Sequence, residues 1–97
     1  MKTKFASETN GRRLVFWCPG CEEPHMPSIE GAAPWTWDGN RERPTLSPSI
    51  LVTDGQGNRC HSFLRDGKLE FLTDCTHKMA GQTVALPDWP YDEGTFG

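Results

Sequence analysis

The sequence predicts a small β-rich fold, made mostly of antiparallel strands and hairpins with little helix. Ten glycines and eight prolines are spread along the chain. Turn-forming segments at 38–40, 54–58 and 66–67 separate short runs rich in β-branched and aromatic residues, which favour strands. No window of about 12 residues has the apolar spacing of an amphipathic helix.

The expected strands are 14–17, 35–37, 50–53, 60–64, 69–73 and 83–86. One helical turn is possible at 76–81, where Asp74 could cap the start and Gly81 could end it. We expect one domain over residues 11–89. Residues 1–10 would form an N-terminal tail or edge, and residues 90–97 a C-terminal tail.

The clearest local prediction is a hairpin around Asp66-Gly67, a dipeptide typical of two-residue type I′ turns. This turn pairs Arg65 with Lys68, and strand alternation then sorts the side chains onto two faces. One face carries Cys60, Ser62, Leu64, Leu69, Phe71, Thr73 and Cys75. The other carries His61, Phe63, Arg65, Lys68, Glu70, Leu72 and Asp74.

Size and composition indicate that this fold needs a covalent or metal cross-link. The chain has 97 residues, of which 35% are hydrophobic, so its core is small. No apolar run resembles a secretory signal or a membrane span, which leads us to expect a cytosolic protein. Cytosolic thiols stay reduced, so the four cysteines favour a metal site over disulfides.

We expect a structural zinc ion in a zinc-ribbon-like arrangement. Cys18-Pro19-Gly20-Cys21 is a knuckle whose tight turn brings two thiolates to one side. Cys60 and Cys75, on one face at the open end of the hairpin, would complete four thiolate ligands. His77 could replace Cys75, and His25 or His61 could replace Cys60.

The charge distribution argues against nucleic acid as a partner. The net charge is −3 and the isoelectric point is about 5.5, and the ten basic residues do not form one concentrated face. Proteins are the expected partners.

The motifs taken together resemble a known family. They are Trp17-Cys-Pro-Gly-Cys21 with His25, Trp35-Thr-Trp-Asp-Gly39, Pro44-Thr-Leu-Ser-Pro-Ser49, Cys60-His-Ser-Phe63, and Asp74-Cys-Thr-His77 followed by Ala80-Gly81 and Leu86-Pro87. Their order resembles small phage and prophage proteins related to the BubE-type proteins of bacterial ubiquitin-like conjugation operons. The resemblance spans roughly residues 14–89. It implies a mobile-element origin, the cytosol of a bacterial host, and a peptidase or esterase that removes the modifier. It assigns no catalytic residues.

The residues themselves suggest one catalytic arrangement. His61 and Asp74 lie on the same hairpin face as near-diagonal neighbours, and a carboxylate beside an imidazole orients a general base. Ser49 is the first candidate nucleophile. Ser62 is the second, although alternation points it toward the zinc side.

The competing hypothesis is a non-catalytic, zinc-stabilised module that binds a host protein. Four tryptophans in this length is a high count, and Trp35 and Trp37 alternate onto one face. Exposed tryptophans anchor protein interfaces, whereas buried ones fill a core.

Overall fold

The computed structural model describes residues 2–8 and 11–90, and every regular element in these ranges is a β-strand. The strands are β1 Thr3–Glu8, β2 Gly11–Cys18, β3 Glu23–His25, β4 Thr36–Trp37, β5 Leu46–Thr53, β6 Arg59–Arg65, β7 Lys68–Phe71 and β8 Thr83–Ala85. They form a three-stranded sheet of order β1-β2-β3 and a five-stranded sheet of order β4-β5-β6-β7-β8. All neighbouring strands are antiparallel, so the β-rich fold class is confirmed.

The first sheet contains a strand at the N-terminal segment, where the sequence had suggested only a tail or edge. β1 pairs along its length with β2, and Thr3 is fully buried. The Thr3 hydroxyl donates to the Arg41 carbonyl at 2.7 Å, and the Phe5 ring packs edge-to-face on Trp37 with centroids 5.6 Å apart. These contacts come from distant parts of the chain, so no local pattern could have indicated them.

The second sheet contains the expected hairpin. Arg65 pairs with Lys68 and Leu64 with Leu69, while Asp66 and Gly67 have φ angles of 49° and 73°. Positive φ at both turn positions is the type I′ geometry that Asp-Gly favours. The predicted register is therefore confirmed.

A bulge interrupts the pairing of β5 with β6 between Leu46 and Ile50. Pro48 lies within it and, lacking an N–H group, cannot donate to the ladder. Beyond the bulge, Leu51 pairs with His61. Because directly paired residues project to the same face, Leu51 and His61 lie side by side, with Ser49 two positions earlier on that face.

The two sheets share one hydrophobic core. It combines Leu14 and Phe16 of β2 with Leu46, Leu64 and Leu69 of the second sheet. The segment 76–81 forms turns instead of a regular helical turn, and Gly81 has a φ of 79°. Most of the expected C-terminal tail, 91–97, lies outside the described residues.

Candidate active site and metal centre

Ser49, His61 and Asp74 form a hydrogen-bonded chain on the outer face of the second sheet. Ser49 Oγ lies 3.0 Å from His61 Nε2, and His61 Nδ1 lies 3.2 Å from Asp74 Oδ2. The side chain of His61 is 25% exposed and that of Asp74 is 41% exposed, so solvent reaches the carboxylate end. The structure thus brings these three sequence-predicted side chains together.

Backbone hydrogen bonds hold the chain segment of Asp74 against β6. The Leu72 N–H donates to the His61 carbonyl at 2.9 Å, and the Thr76 N–H donates to the Arg59 carbonyl at 2.9 Å. These two bonds flank Asp74 and hold the segment that follows β7 against β6. They place the Asp74 carboxylate beside the imidazole.

The hydrogen-bond pattern sets the tautomer of His61. An ionised carboxylate can only accept, so the assigned tautomer has its proton on Nδ1, and this N–H donates a hydrogen bond to Asp74. Nε2 is then the acceptor and faces the Ser49 hydroxyl. An imidazole in this state can take a proton from a serine as it attacks a carbonyl.

Ser62, the alternative nucleophile, lies elsewhere. It is fully buried, and its hydroxyl has no hydrogen-bond partner within the described residues. It is next to His61 in sequence, so alternation turns its side chain to the inner face of the sheet. The geometry therefore does not bring Ser62 to the imidazole.

Arg59 is a site residue that the sequence reading missed. Its Nη1 lies 3.6 Å from Asp74 Oδ2, the same oxygen that faces His61. The signal was present, because the register of the Asp66-Gly67 hairpin, extended past its strands, sets Arg59 opposite Asp74. The guanidinium thus places a positive charge beside the carboxylate oxygen that faces His61.

A cluster of potential metal ligands lies between the two sheets. The ligand atoms of Cys18, Cys21, His25 and Cys60 all lie within 4.8 Å of one another. Cys18 Sγ and Cys60 Sγ are 3.9 Å apart. Two bonds of ~2.3 Å at a tetrahedral angle would separate sulfurs by ~3.8 Å. The cluster can therefore hold one metal ion, and Cys60 is its only member from the second sheet.

The knuckle and the strand that follows it position three of these ligands. The Cys21 N–H donates to Cys18 Sγ at 3.4 Å, and the Glu22 N–H donates to the Cys18 carbonyl at 2.8 Å. β3 then returns beside β2, and Phe16 pairs with His25. Alternation puts Cys18 and His25 on the same face.

His25 itself points to a ligand. It is only 3% exposed, and neither ring nitrogen has a hydrogen-bond partner within the part of the chain that the structure describes. Buried polar nitrogens normally have partners, and a bound cation would account for one of them.

Cys75, the expected fourth ligand, lies instead in a second, overlapping group with Cys60 and His77. Its sulfur accepts from the His61 N–H and contacts the His61 carbonyl, both at 3.2 Å. Cys75 has this position because β7 ends at Phe71. The chain then turns, and the segment that contains Cys75 lies beside β6. Cys75 is thus in contact with the backbone of the residue that carries the imidazole.

His77 contacts the cluster from outside. Its Nδ1 accepts the Met79 N–H at 3.2 Å, so the proton of a neutral ring lies on Nε2, which faces Cys60 Sγ at 3.4 Å. The ring packs edge-to-face on Phe71 and against Gly20, where a Cβ would approach it to 2.4 Å. A Cβ at this position of the knuckle would therefore displace the imidazole of His77 from Cys60.

The grouped thiols perturb one another. The hydrogen bond from Cys60, assisted by the imidazole of His25, lowers the pKa of Cys18 to about 4. Burial and the neighbouring negative charge of Cys18 raise the pKa of Cys21 to about 12. The hydrogen bond to Cys18, followed by burial, raises the pKa of Cys60 strongly. Without a bound cation, the cluster therefore carries one thiolate, on Cys18, and two protonated thiols, and a metal ion would have to displace those two protons to bind all three sulfurs.

The tryptophans divide between packing and the rim of the site. Trp37 and Trp35 are half-buried, and the Trp35 indole N–H donates to the Ser49 carbonyl at 3.3 Å. Trp17 and Trp89 pack edge-to-face with centroids 6.1 Å apart.

No helix within 2–8 and 11–90 is long and apolar enough to span a membrane.

Fold and site together define a small antiparallel β protein with a Cys/His cluster able to hold one metal ion, close to a Ser–His–Asp hydrogen-bond chain. The chain belongs to the family described as bacterial ubiquitination-like system serine protease (BubE), whose model matches residues 2–72. The match covers the knuckle, Ser49 and His61, and it ends just before Asp74. Searches of curated proteins and of solved structures found no match.

Proposed function

We propose that this chain is a serine peptidase or esterase that removes a ubiquitin-like modifier from protein conjugates in the bacterial cytosol, and that it is of phage or mobile-element origin. The family assignment supports a protease of a ubiquitination-like system. The observation that carries the proposal is the pair of hydrogen bonds joining Ser49, His61 and Asp74.

Each residue has one role. Ser49 Oγ attacks the carbonyl carbon of the scissile ester or amide, and its proton passes to His61 Nε2. Asp74 stabilises the resulting imidazolium through Nδ1. The imidazolium then protonates the departing alcohol or amine as its bond to the carbonyl carbon breaks. Water repeats the sequence, with its proton taken by His61, to release the acid and restore Ser49.

Zinc is the metal that we propose for the cluster, with Cys18, Cys21, His25 and Cys60 as ligands. The donor set of three sulfurs and one nitrogen is one that structural zinc prefers. Bound there, the ion would tie the first sheet to β6. A catalytic zinc is disfavoured because several thiolates reduce its strength as a Lewis acid.

A fluorophosphonate probe tests the nucleophile without knowledge of the substrate, because it phosphonylates an activated serine. We expect a single adduct, mapped to Ser49 by peptide mass spectrometry. Ser49→Ala and His61→Ala should abolish it. Ser47→Ala, which changes an exposed serine on the same strand, should retain it. An adduct at another serine, or labelling that survives His61→Ala, would overturn the assignment.

The substrate class is tested with a ubiquitin-like modifier joined through its terminal carbonyl to a lysine peptide or to an alcohol. We expect release of free modifier by the wild type and the Ser47→Ala variant, and no release by the Ser49→Ala variant. A stable complex with the conjugate and no cleavage of either linkage would favour the binding-module hypothesis.

A further inference from the structure

A mostly apolar cavity is formed in part by the residues that follow the candidate nucleophile on β5. Its volume is about 150 Å³, and it is lined by Arg13, His25, Met26, Pro27, Trp35, Ile50, Leu51 and Val52. Three of these are the residues that follow Ser49 on β5. The cavity therefore adjoins the hydrogen-bonded chain of Ser49, His61 and Asp74 without being part of it.

Two walls of this cavity are large apolar side chains that face solvent. Leu51 is 54% exposed and Met26 is 38% exposed, and these are the large hydrophobic residues found exposed in the described ranges. Single exposed apolar residues are common on protein surfaces. Here, however, both line one cavity, and Leu51 is paired directly with His61. Apolar surface gathered at one concave place next to reactive groups is typical of a ligand site.

Hydrogen bonds hold two parts of the cavity lining in place. The Trp35 indole N–H donates to the carbonyl of Ser49 at 3.3 Å, which holds the indole beside the nucleophile. Arg13 Nη1 donates to the Met26 carbonyl at 2.8 Å, which holds the backbone of Met26 in place. The Trp35 indole and the backbone of Met26 are thus positioned before any substrate arrives, and this limits the ordering cost of binding.

We propose that this cavity is the subsite for an apolar side chain of the substrate residue that contributes the scissile carbonyl. The volume of about 150 Å³ is sufficient for one leucine or phenylalanine side chain, and most of the walls are apolar. The acyl half of the substrate stays attached to the serine through both steps, whereas the leaving half departs after the first. A subsite built by the neighbours of Ser49 on its own strand suits the half that stays.

This inference rests on the proposed hydrolase function and gives it a substrate preference. The test compares the p-nitrophenyl esters of N-acetyl-leucine and N-acetyl-glycine, with spontaneous hydrolysis subtracted. The wild type should show a kcat/KM about tenfold to a hundredfold higher for the leucine ester, as expected for burial of one aliphatic side chain.

Leu51→Asn replaces one apolar wall by a polar side chain of similar size and should bring the leucine-to-glycine ratio close to one. Met26→Gln changes a second wall and should lower the same ratio. Thr53→Asn is the matched control, because Thr53 lies on the same face of β5, is exposed, and does not line the cavity. It should leave the ratio as in the wild type. Circular dichroism checks that each variant is folded.

The outcomes separate the subsite from the catalytic proposal. Hydrolysis of both esters with a ratio near one in the wild type, or with a ratio unchanged in both wall variants, would overturn the subsite while leaving the hydrolase intact. Hydrolysis of neither ester, together with no phosphonylation of Ser49, would refute the hydrolase and the subsite with it.

Discussion

Replacing Asp74 by asparagine tests whether the carboxylate orients and stabilises the imidazole. The substitution keeps the size of the side chain but removes its negative charge. It also allows an amide N–H to face His61 Nδ1, which would favour the tautomer with the proton on Nε2. That tautomer cannot accept the proton of Ser49. We therefore expect a slower reaction with little change in folding.

The magnitude follows from the geometry. Unit charges at the 3.2 Å separation of His61 Nδ1 and Asp74 Oδ2 attract by about 1 kcal/mol in bulk water and about 5 kcal/mol at an effective dielectric constant of 20. The carboxylate is 41% exposed, and Arg59 lies 3.6 Å from the same oxygen, so the effect falls between these limits. About 2–3 kcal/mol corresponds to a fall in kcat/KM of about 30- to 150-fold.

The assay is kcat/KM for ester hydrolysis, accompanied by the rate of phosphonylation of Ser49. Asp66→Asn is the matched control, since Asp66 is also an exposed carboxylate paired with an arginine, Arg43, at 2.7 Å. It should have the activity of the wild type. If Asp74→Asn lies within about twofold of the wild type in both measurements, the carboxylate has no part in the reaction and the proposed triad is wrong.

Three further predictions concern stability and metal binding. We expect native mass spectrometry to show one zinc ion in the wild type and none after the substitution Cys60→Ser or after exhaustive chelation. Either treatment should also lower the melting temperature, because Cys60 is the only residue of the cluster that belongs to the second sheet. Retention of zinc by the variant would exclude this ligand. Gly20→Ala should displace the ring of His77 and weaken zinc binding about 10- to 100-fold in a chelator competition; unchanged affinity would show that the Cys60 contact does not support the metal. Leu64→Ala, which empties a fully buried site, should cost about 2–5 kcal/mol in denaturant unfolding, whereas Leu51→Ala on the exposed face should cost well under 1 kcal/mol; similar losses would contradict the assigned core.

Only some of the proposed zinc ligands could be predicted from the sequence. The knuckle of Cys18 and Cys21 is local and could be identified from spacing alone. The remaining ligands could not, because several cysteines and histidines were at compatible distances along the chain. The structure groups His25 with the knuckle through the pairing of β3 with β2, and it places Cys75 against the backbone of His61. Which cysteines and histidines come together depends on how the two sheets pack, and the spacing of residues along the chain does not specify that packing.

The hairpin, in contrast, was predictable from a few neighbouring residues. A two-residue Asp-Gly turn admits one register, and a side-chain period of two then determines every face. His61 and Asp74 could therefore be assigned to one face from the sequence. The strand over residues 3–8 was not predicted, and Phe5 within it is held by Trp37 and Arg41 from a distant segment as well as by Arg12 of the neighbouring strand β2.

By itself, the sequence determined a β-rich chain with a Cys-x-x-Cys knuckle and a hairpin of known register, because turns and alternation are local properties of the backbone. Only the tertiary structure decided the strand at the N-terminus, the position of His25 among the thiols, and the 3.0 Å approach of Ser49 to the imidazole. The N-terminal strand is also held by contacts of Thr3 with Arg41 and of Phe5 with Trp37, Cys60 meets His25 from the other sheet, and the approach of Ser49 to His61 depends on the bulge between β5 and β6. Each of these contacts depends on how the segments pack against one another. The free energy of that packing depends on side-chain shape and burial across the whole core, and neither can be read directly from the amino-acid sequence.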